Sequence, residues 1–154
     1  MSIPKVHYSR LIGLLEALED FGGKVDVAKI ADDLSLELDD LLPVIEAAEL
    51  FGFLKTESGD ISLTNEGLEF LSDGTRGRKK HLGKKLLMLD HFKKLIEFIN
   101  QKEDKSITKE ELSNFLAEKF HEIDSKAASE WTIEWGRHGL LLRYNSKEDK
   151  IKLL

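Results

Sequence analysis

Twice along this sequence, a series of amphipathic helix patterns closes on a glycine and gives way to two short strands split by a turn. No other feature restricts the fold as tightly, because apolar stripes this short must be buried against neighbouring elements of the same unit. In the first pass, Leu11, Leu14, Leu15 and Leu18 fall at i, i+3, i+4 and i+7, the stripe of one helix that stops at Gly22-Gly23. Asp26 caps a short second helix with Val27, Ile30, Ala31 and Leu34 facing inward. After a tight turn at Ser35-Leu36, a third helix carries Leu38, Leu41, Leu42, Ile45 and Ala48 and ends at Gly52. Pro43 is harmless there if the helix starts at Asp39 or Asp40, and mildly disruptive if it starts sooner. Phe53 to Glu57, Ser58-Gly59, and Asp60 to Leu63 read as strand, turn and strand. Thr64 then starts a brief helix through Leu68 and Leu71 that runs into a polar segment, Ser72-Asp73-Gly74-Thr75.

The second pass repeats the order. A long helix from about Lys80 to Asn100 places Leu82, Leu86, Leu89, Phe92, Ile96 and Ile99 on one stripe, whose near-heptad spacing also suits pairing between two copies. Thr108 and Glu111 form a capping box for a helix with Leu112, Phe115, Leu116 and Phe120. Asp124 or Ser125 caps the next, with Ala128, Trp131 and Trp135 inward and Gly139 at its end. Leu140 to Tyr144, a turn over 145–149, and Lys150 to Leu153 make the second hairpin, so that Gly52-Phe53-Leu54 and Gly139-Leu140-Leu141 occupy matching places. The pattern predicts a mainly α (α+β) protein of tandem winged-helix-like units, three helices plus a β-hairpin each. One unit spans 1–75 and the other, containing the long helix, 76–154, packed as one compact body.

Charge divides the chain at the same place. Residues 1–75 hold five Lys/Arg against 16 Asp/Glu, net −11, and residues 76–154 hold 18 against 13, net +5. Such a split speaks to partners rather than to fold. No apolar run approaches the roughly 18 residues that span a bilayer, and the N-terminus lacks the apolar stretch of a signal peptide. With no cysteine, disulfides, thiolate metal sites and cysteine nucleophiles are excluded. A cytoplasmic protein without membrane insertion is expected.

Catalytic chemistry finds little support. The two Gly-Lys pairs, Gly23-Lys24-Val25 and Gly83-Lys84-Lys85, lack the upstream glycine and the Ser/Thr with which a P-loop cradles phosphate and its metal. The five histidines, His7, His81, His91, His121 and His138, show no zinc spacing and read as surface or half-buried. There is no G-x-S-x-G elbow. The expectation is a non-enzyme with no catalytic residues, no metal site and no cofactor.

Winged helices often read DNA, which requires cations on the helix that enters the major groove and on the wing. The first candidate recognition helix, Leu38 to Phe51, carries Asp39, Asp40, Glu46 and Glu49 and no Lys or Arg, so phosphates would be repelled. The second is mixed, with Lys126 and Arg137 against Asp124, Glu130 and Glu134, and its wing offers Arg143, Lys147, Lys150 and Lys152 against Glu148 and Asp149. Nucleic acid is therefore disfavoured, with a DNA-binding regulator using the basic second half kept as the alternative. The densest basic run is Arg76, Arg78, Lys79, Lys80, Lys84 and Lys85, read as a solvated face or a docking strip for an acidic surface.

Several segments resemble a known bacterial family. These are Ser9 to Leu18, Leu36-Glu37-Leu38-Asp39-Asp40-Leu41-Leu42-Pro43, Glu46 to Phe53, Gly59-Asp60-Ile61-Ser62-Leu63-Thr64 with Gly67, and Trp135-Gly136-Arg137 followed by Tyr144-Asn145. In this order they resemble the AAA-associated C-terminal domain, appended to the ATP-binding subunits of nitrate/sulfonate/bicarbonate-type ABC importers. The resemblance spans about residues 9–153. It implies an accessory, regulatory protein–protein interaction module, here expected without the ATPase, whose partner is an ABC ATP-binding subunit or a second copy in a homodimer. The family tends to follow Trp-Gly-Arg with an aromatic and an acidic residue, where this chain has His138-Gly139-Leu140. Interaction residues are expected at Trp131, Trp135, Arg137 and Tyr144, taken as the heart of the second wing with Arg137 paired to a carboxylate, and along Arg76, Arg78, Lys79 and Lys80.

Overall fold

The computed structural model describes residues 3–154, which form eight helices and two three-stranded antiparallel sheets. They divide into two compact units, Val6–Arg78 and Lys79–Leu154, the latter including residues 3–5. The first unit holds α1 (Tyr8–Asp20), β1 (Lys24–Asp26), α2 (Val27–Asp33), α3 (Leu38–Leu50), β2 (Leu54–Glu57), β3 (Asp60–Leu63) and α4 (Asn65–Ser72). Helix α5 (Gly74–Leu86) follows after Asp73, so the polar segment expected around Gly74-Thr75 is already helical. The second unit continues with α6 (Asp90–Asn100), β4 (Ser106–Ile107), α7 (Lys109–Phe120), α8 (Ser125–His138), β5 (Leu142–Asn145) and β6 (Lys150–Leu153). The protein is thus mainly helical with small antiparallel sheets.

In the first unit the predicted stripe is the core. Leu11, Leu14, Leu15 and Leu18 are buried with Ile30 and Ala31 of α2 and Leu41, Val44, Ile45, Ala47 and Ala48 of α3. Each fully buried leucine or isoleucine of this kind contributes about 2 kcal/mol of transfer free energy. Phe53 and Phe70 stack at 4.3 Å, closing the hairpin end of that core. Asp26 caps α2 by accepting from the Ala28 and Lys29 amides at 2.9 and 3.3 Å. The expected hairpin forms around Ser58-Gly59, both at positive φ, with Glu57 opposite Asp60.

Two expectations need correction, and one open alternative is settled. Each unit has a three-stranded sheet rather than a bare hairpin, because β1 pairs with β3 (Val25 opposite Ile61) and β4 with β6 (Ile107 opposite Ile151). Those strands are two or three residues long, too short to show alternation. Helix α3 starts at Leu38, so Pro43 lies beyond the first turn and leaves the Asp39 carbonyl without its helical partner. Both residues are exposed, so water can serve that carbonyl. The long helix over 80–100 is two helices. The Met88 and Leu89 amides bond to the Lys85 and Leu86 carbonyls three residues back, and Leu89 turns extended ahead of Asp90, whose carboxylate suits a helix N-terminus. The break rotates the second half of the stripe, so Leu95 is buried where Ile96 was expected.

In the second unit, Leu112, Phe115, Leu116, Ala128, Ile133 and Trp135 are buried with Phe92, Leu95 and Ile99. The Thr108/Glu111 capping box is present in both directions.

Candidate interaction surface

The four residues expected to form one cluster separate by depth. Trp135 is fully buried, and its indole N–H donates to the Pro4 carbonyl at 2.9 Å, drawing the N-terminal segment and buried Ile3 onto this unit. Nothing in the spacing of the sequence announces that bond. Trp131 is half-buried, one turn earlier on α8. Arg137 points outward and makes no ion pair among the described residues, correcting the expected carboxylate partner. Its helical neighbour Gly136 takes the inward position, packed against Leu142 so closely that a Cβ would lie 2.4 Å from Leu142 Cδ1.

Tyr144 instead belongs to a network that sequence reading missed. Its hydroxyl donates to Asp149 Oδ1 at 3.1 Å, and the same oxygen accepts from the Lys109 amide at 3.2 Å. Lys109 Nζ lies 4.8 Å from the Tyr144 ring centroid and pairs with Glu130 at 2.7 Å. The turn between β5 and β6 is thereby tied to the start of α7 and, through Glu130, to the second turn of α8. Hydrogen bonding to Glu130 raises the Lys109 pKa, and desolvation raises that of Tyr144. The adjoining cleft, about 620 Å³, is lined by Ser113, Asn114, Ser125 and Ser129. Ser113 bonds to Ser125 across it at 2.8 Å.

The basic run also divides. Arg78 is half-buried, donates to the Leu71 carbonyl at 2.8 Å and pairs with Glu16 at 3.5 Å, a structural corner within the first unit. Arg76, Lys80 and Lys84 are exposed, Lys79 is half-buried, and none of the four forms an ion pair among the described residues. Helix α5 carries six cations and no acidic residue. Gly83, one of the two Gly-Lys glycines, is required by packing: a Cβ there would fall 2.2 Å from the Gly139 carbonyl oxygen. The other pair lies after α1, at the junction of its closing turn with β1, where Gly23 has φ 93° and Lys24 opens the strand.

The outward face of α3 is the opposite in charge. Asp39, Asp40, Glu46 and Glu49 are exposed on it, Glu49 accepting from the Thr56 hydroxyl at 3.3 Å. Leu38 and Leu42, carried by this helix in the sequence pattern, point to solvent at 47% and 43% exposure. Leu41, Val44, Ile45 and Ala48 already fill the buried stripe, leaving Leu42 about 100° away from Leu41.

The histidine expectation fails at one position. His91 is 3% exposed, stacks on Phe120 at 5.1 Å and bonds through Nε2 to Thr132 Oγ1 at 2.9 Å. Thr132 donates its own proton to the Ala128 carbonyl, so it accepts from His91, whose Nδ1 is left buried without a partner. Burial lowers the His91 pKa to about 4. Among the described residues no group of three acidic or histidine side chains could hold a metal ion, and no helix is long and apolar enough to cross a membrane.

Against known families, the model of the C-terminal AAA-associated domain matches residues 28–145. The chain belongs to this family. The match runs from α2 to the end of β5, through both outward faces just described, and takes in Trp131, Trp135, Arg137 and Tyr144. Members of the AAA-associated family are accessory domains tied to ABC ATP-binding proteins. No curated protein and no solved structure matches this AAA-associated domain.

Proposed function

We propose that the chain is a non-catalytic accessory module of two tandem winged-helix units that regulates, by direct docking, an ATP-binding subunit of a nitrate/sulfonate/bicarbonate-type ABC importer in the cytoplasm. The observation that carries this is the family match over 28–145, which covers parts of both units. The order helix, strand, helix, helix, hairpin in each unit, with a third strand completing the sheet, supports the winged-helix reading. Neither Gly-Lys pair, one held by helix packing at Gly83 and the other in the turn after α1, carries the upstream glycine and the Ser/Thr of a phosphate-cradling loop. Regulation by docking therefore needs nothing beyond the exposed faces of the module.

The decisive experiment titrates the purified chain into a purified importer ATP-binding subunit that has no such domain of its own, read by calorimetry. A Kd below about 10 μM supports the proposal, and heat no larger than dilution at about 100 μM overturns it. The DNA-binding alternative meets the exposed carboxylates of α3 in one unit. In the other, the ion pairs Lys109–Glu130 and Lys150–Asp104 engage two of the available cations. Duplex DNA affinity weaker than about 100 μM at physiological salt, no better than non-specific binding, removes it.

A further inference from the structure

Two helix faces in this chain are complementary to one another. On α3, Asp39, Leu42, Glu46 and Glu49 recur at steps of three and four, with Leu38 one turn before Leu42, and all are exposed. The helix holds four carboxylates and no cation. At the end of α5, Lys80, Lys84, Leu87 and Met88 share a face in the same way. The Leu87 amide still bonds to the Gly83 carbonyl at 3.0 Å, which keeps the helical turn going past Leu86. Leu87 and Met88 are 40% and 68% exposed, and Lys80 and Lys84 make no ion pair among the described residues.

Each face therefore presents two uncovered apolar side chains beside charges of a single sign, and the signs are opposite. Apolar side chains of this size are the part of a docking surface that supplies affinity, while the surrounding charge sets partner and orientation. A surface chosen only for solubility would mix its charges and scatter its leucines. We infer that the occupant of each face is the other face of a second copy: the α3 face of one chain docks on the Lys80/Lys84/Leu87/Met88 face of another. The contact joins two different patches, so it is heterologous and differs from pairing through a shared leucine stripe. This inference is independent of the importer reading, because it needs no ATP-binding subunit.

The test is the mass in solution of the purified full chain, by sedimentation velocity over a concentration series. With the Debye length at about 10 Å in 0.1 M salt, mass should rise with concentration up to about 100 μM, and fall back toward one chain at 1 M, where that length is about 3 Å. Glu46→Lys and Lys84→Glu, both at exposed positions, should each weaken association at least about 10-fold. Mixing the two variants should restore it, because one retains a native basic face and the other a native acidic face. A wild-type chain that stays single throughout overturns the inference, as does association that neither variant weakens or that the mixture fails to restore. Binding of the wild-type chain to anionic phosphatidylserine vesicles without self-association also overturns it, assigning the basic face to a lipid surface instead.

Discussion

Helices α3 and α8, each the last before its unit's hairpin, end through the same backbone hydrogen bonds built from different residues. In the first, the Phe53 amide reaches back to the Ala48 carbonyl at 2.9 Å, and in the second the Leu141 amide reaches Gly136 at 2.8 Å. The residue between helix and hairpin is left-handed in both, Gly52 at φ 77° and Leu140 at φ 60°. Aligning on those bonds pairs Gly52 with Leu140, and so shifts by one the match between Gly52 and Gly139 that the sequence invites. Gly139 has φ −79° and is small for another reason: Gly83 Cα and Leu86 Cδ1 would lie 3.2 and 2.6 Å from a Cβ there. The same alignment sets Ala47 opposite Trp135. At this helix end the first unit sets a small residue, Ala47, beside a left-handed glycine, whereas the second fills the equivalent place with an indole beside a left-handed leucine.

The largest difference should come from that indole. Trp135→Ala removes a fully buried ring and leaves the Pro4 carbonyl without its donor, and should cost about 3–5 kcal/mol in chemical denaturation. Truncating Pro4 and the residues before it should also destabilise the unit, through loss of the hydrogen bond and of the buried Ile3 side chain together. A Trp135→Ala variant that melts within a degree of the wild type would remove the indole from the core of the second unit.

Acid should separate the units next. The first unit's histidine, His7, is exposed, whereas His91 in the second is buried and neutral. With the folded pKa at about 4 and the unfolded value near 6.5, the unfolded chain binds the extra proton. Stability is then full above pH 6.5 and falls as pH drops toward 4, by about 3 kcal/mol if the group titrates alone. Denaturant midpoints of the wild type and of His91→Gln, measured from pH 7 to pH 4, check this: the variant should lose most of the slope over that window. Parallel slopes in the two proteins would rule His91 out as its source.

How far the sequence reaches is instructive at these same residues. Stripes repeating every three or four positions, the Asp26 and Asp124 caps and the Thr108/Glu111 box act within one or two turns, and each appears where local pattern places it. What the pattern misses depends on distant chain. The Trp135–Pro4 bond joins positions 131 residues apart, and β1 and β4 exist only because β3 and β6 offer them an edge. The break at 87–89 hid in a spacing that a straight helix satisfies equally well. Along the basic run, charge was visible, but the burial that turns Arg78 into a corner residue and leaves Lys80 and Lys84 open was not. The family resemblance, by contrast, was legible from short ordered segments, and the matched span of 28–145 lies within the range of about 9–153 that they mark out.

The left-handed positions should respond in opposite directions. Gly52→Ala forces a Cβ into a conformation that costs about 1 kcal/mol, while Leu140→Gly relieves a similar strain, offset in part because the half-buried leucine gives up its apolar burial. Thermal melts should therefore move down by a few degrees in the first variant and up, by less, in the second. Two shifts of the same sign would mean that the two helix ends are not equivalent.

The smallest effect sharpens the contrast between the hairpins. The first turn has two residues, Ser58-Gly59, and closes through its own backbone, with Glu57 opposite Asp60. The second has four, between Asn145 and Lys150, and leans on side chains: the Asn145 carboxamide accepts from the Lys147 and Glu148 amides, and Asp149 accepts from Tyr144 and the Lys109 amide. Tyr144→Phe deletes one neutral-to-charged bond at a partly exposed site and should cost about 0.5–1 kcal/mol globally. Its clearer signature is local. Amide exchange of Lys147, Glu148 and Asp149 should quicken several-fold while Ser58 and Gly59 are unchanged, since only the longer turn depends on a side chain from its own strand. Unaltered exchange in both turns would leave the Tyr144 hydroxyl without a structural task and return that face of the wing to the search for a partner.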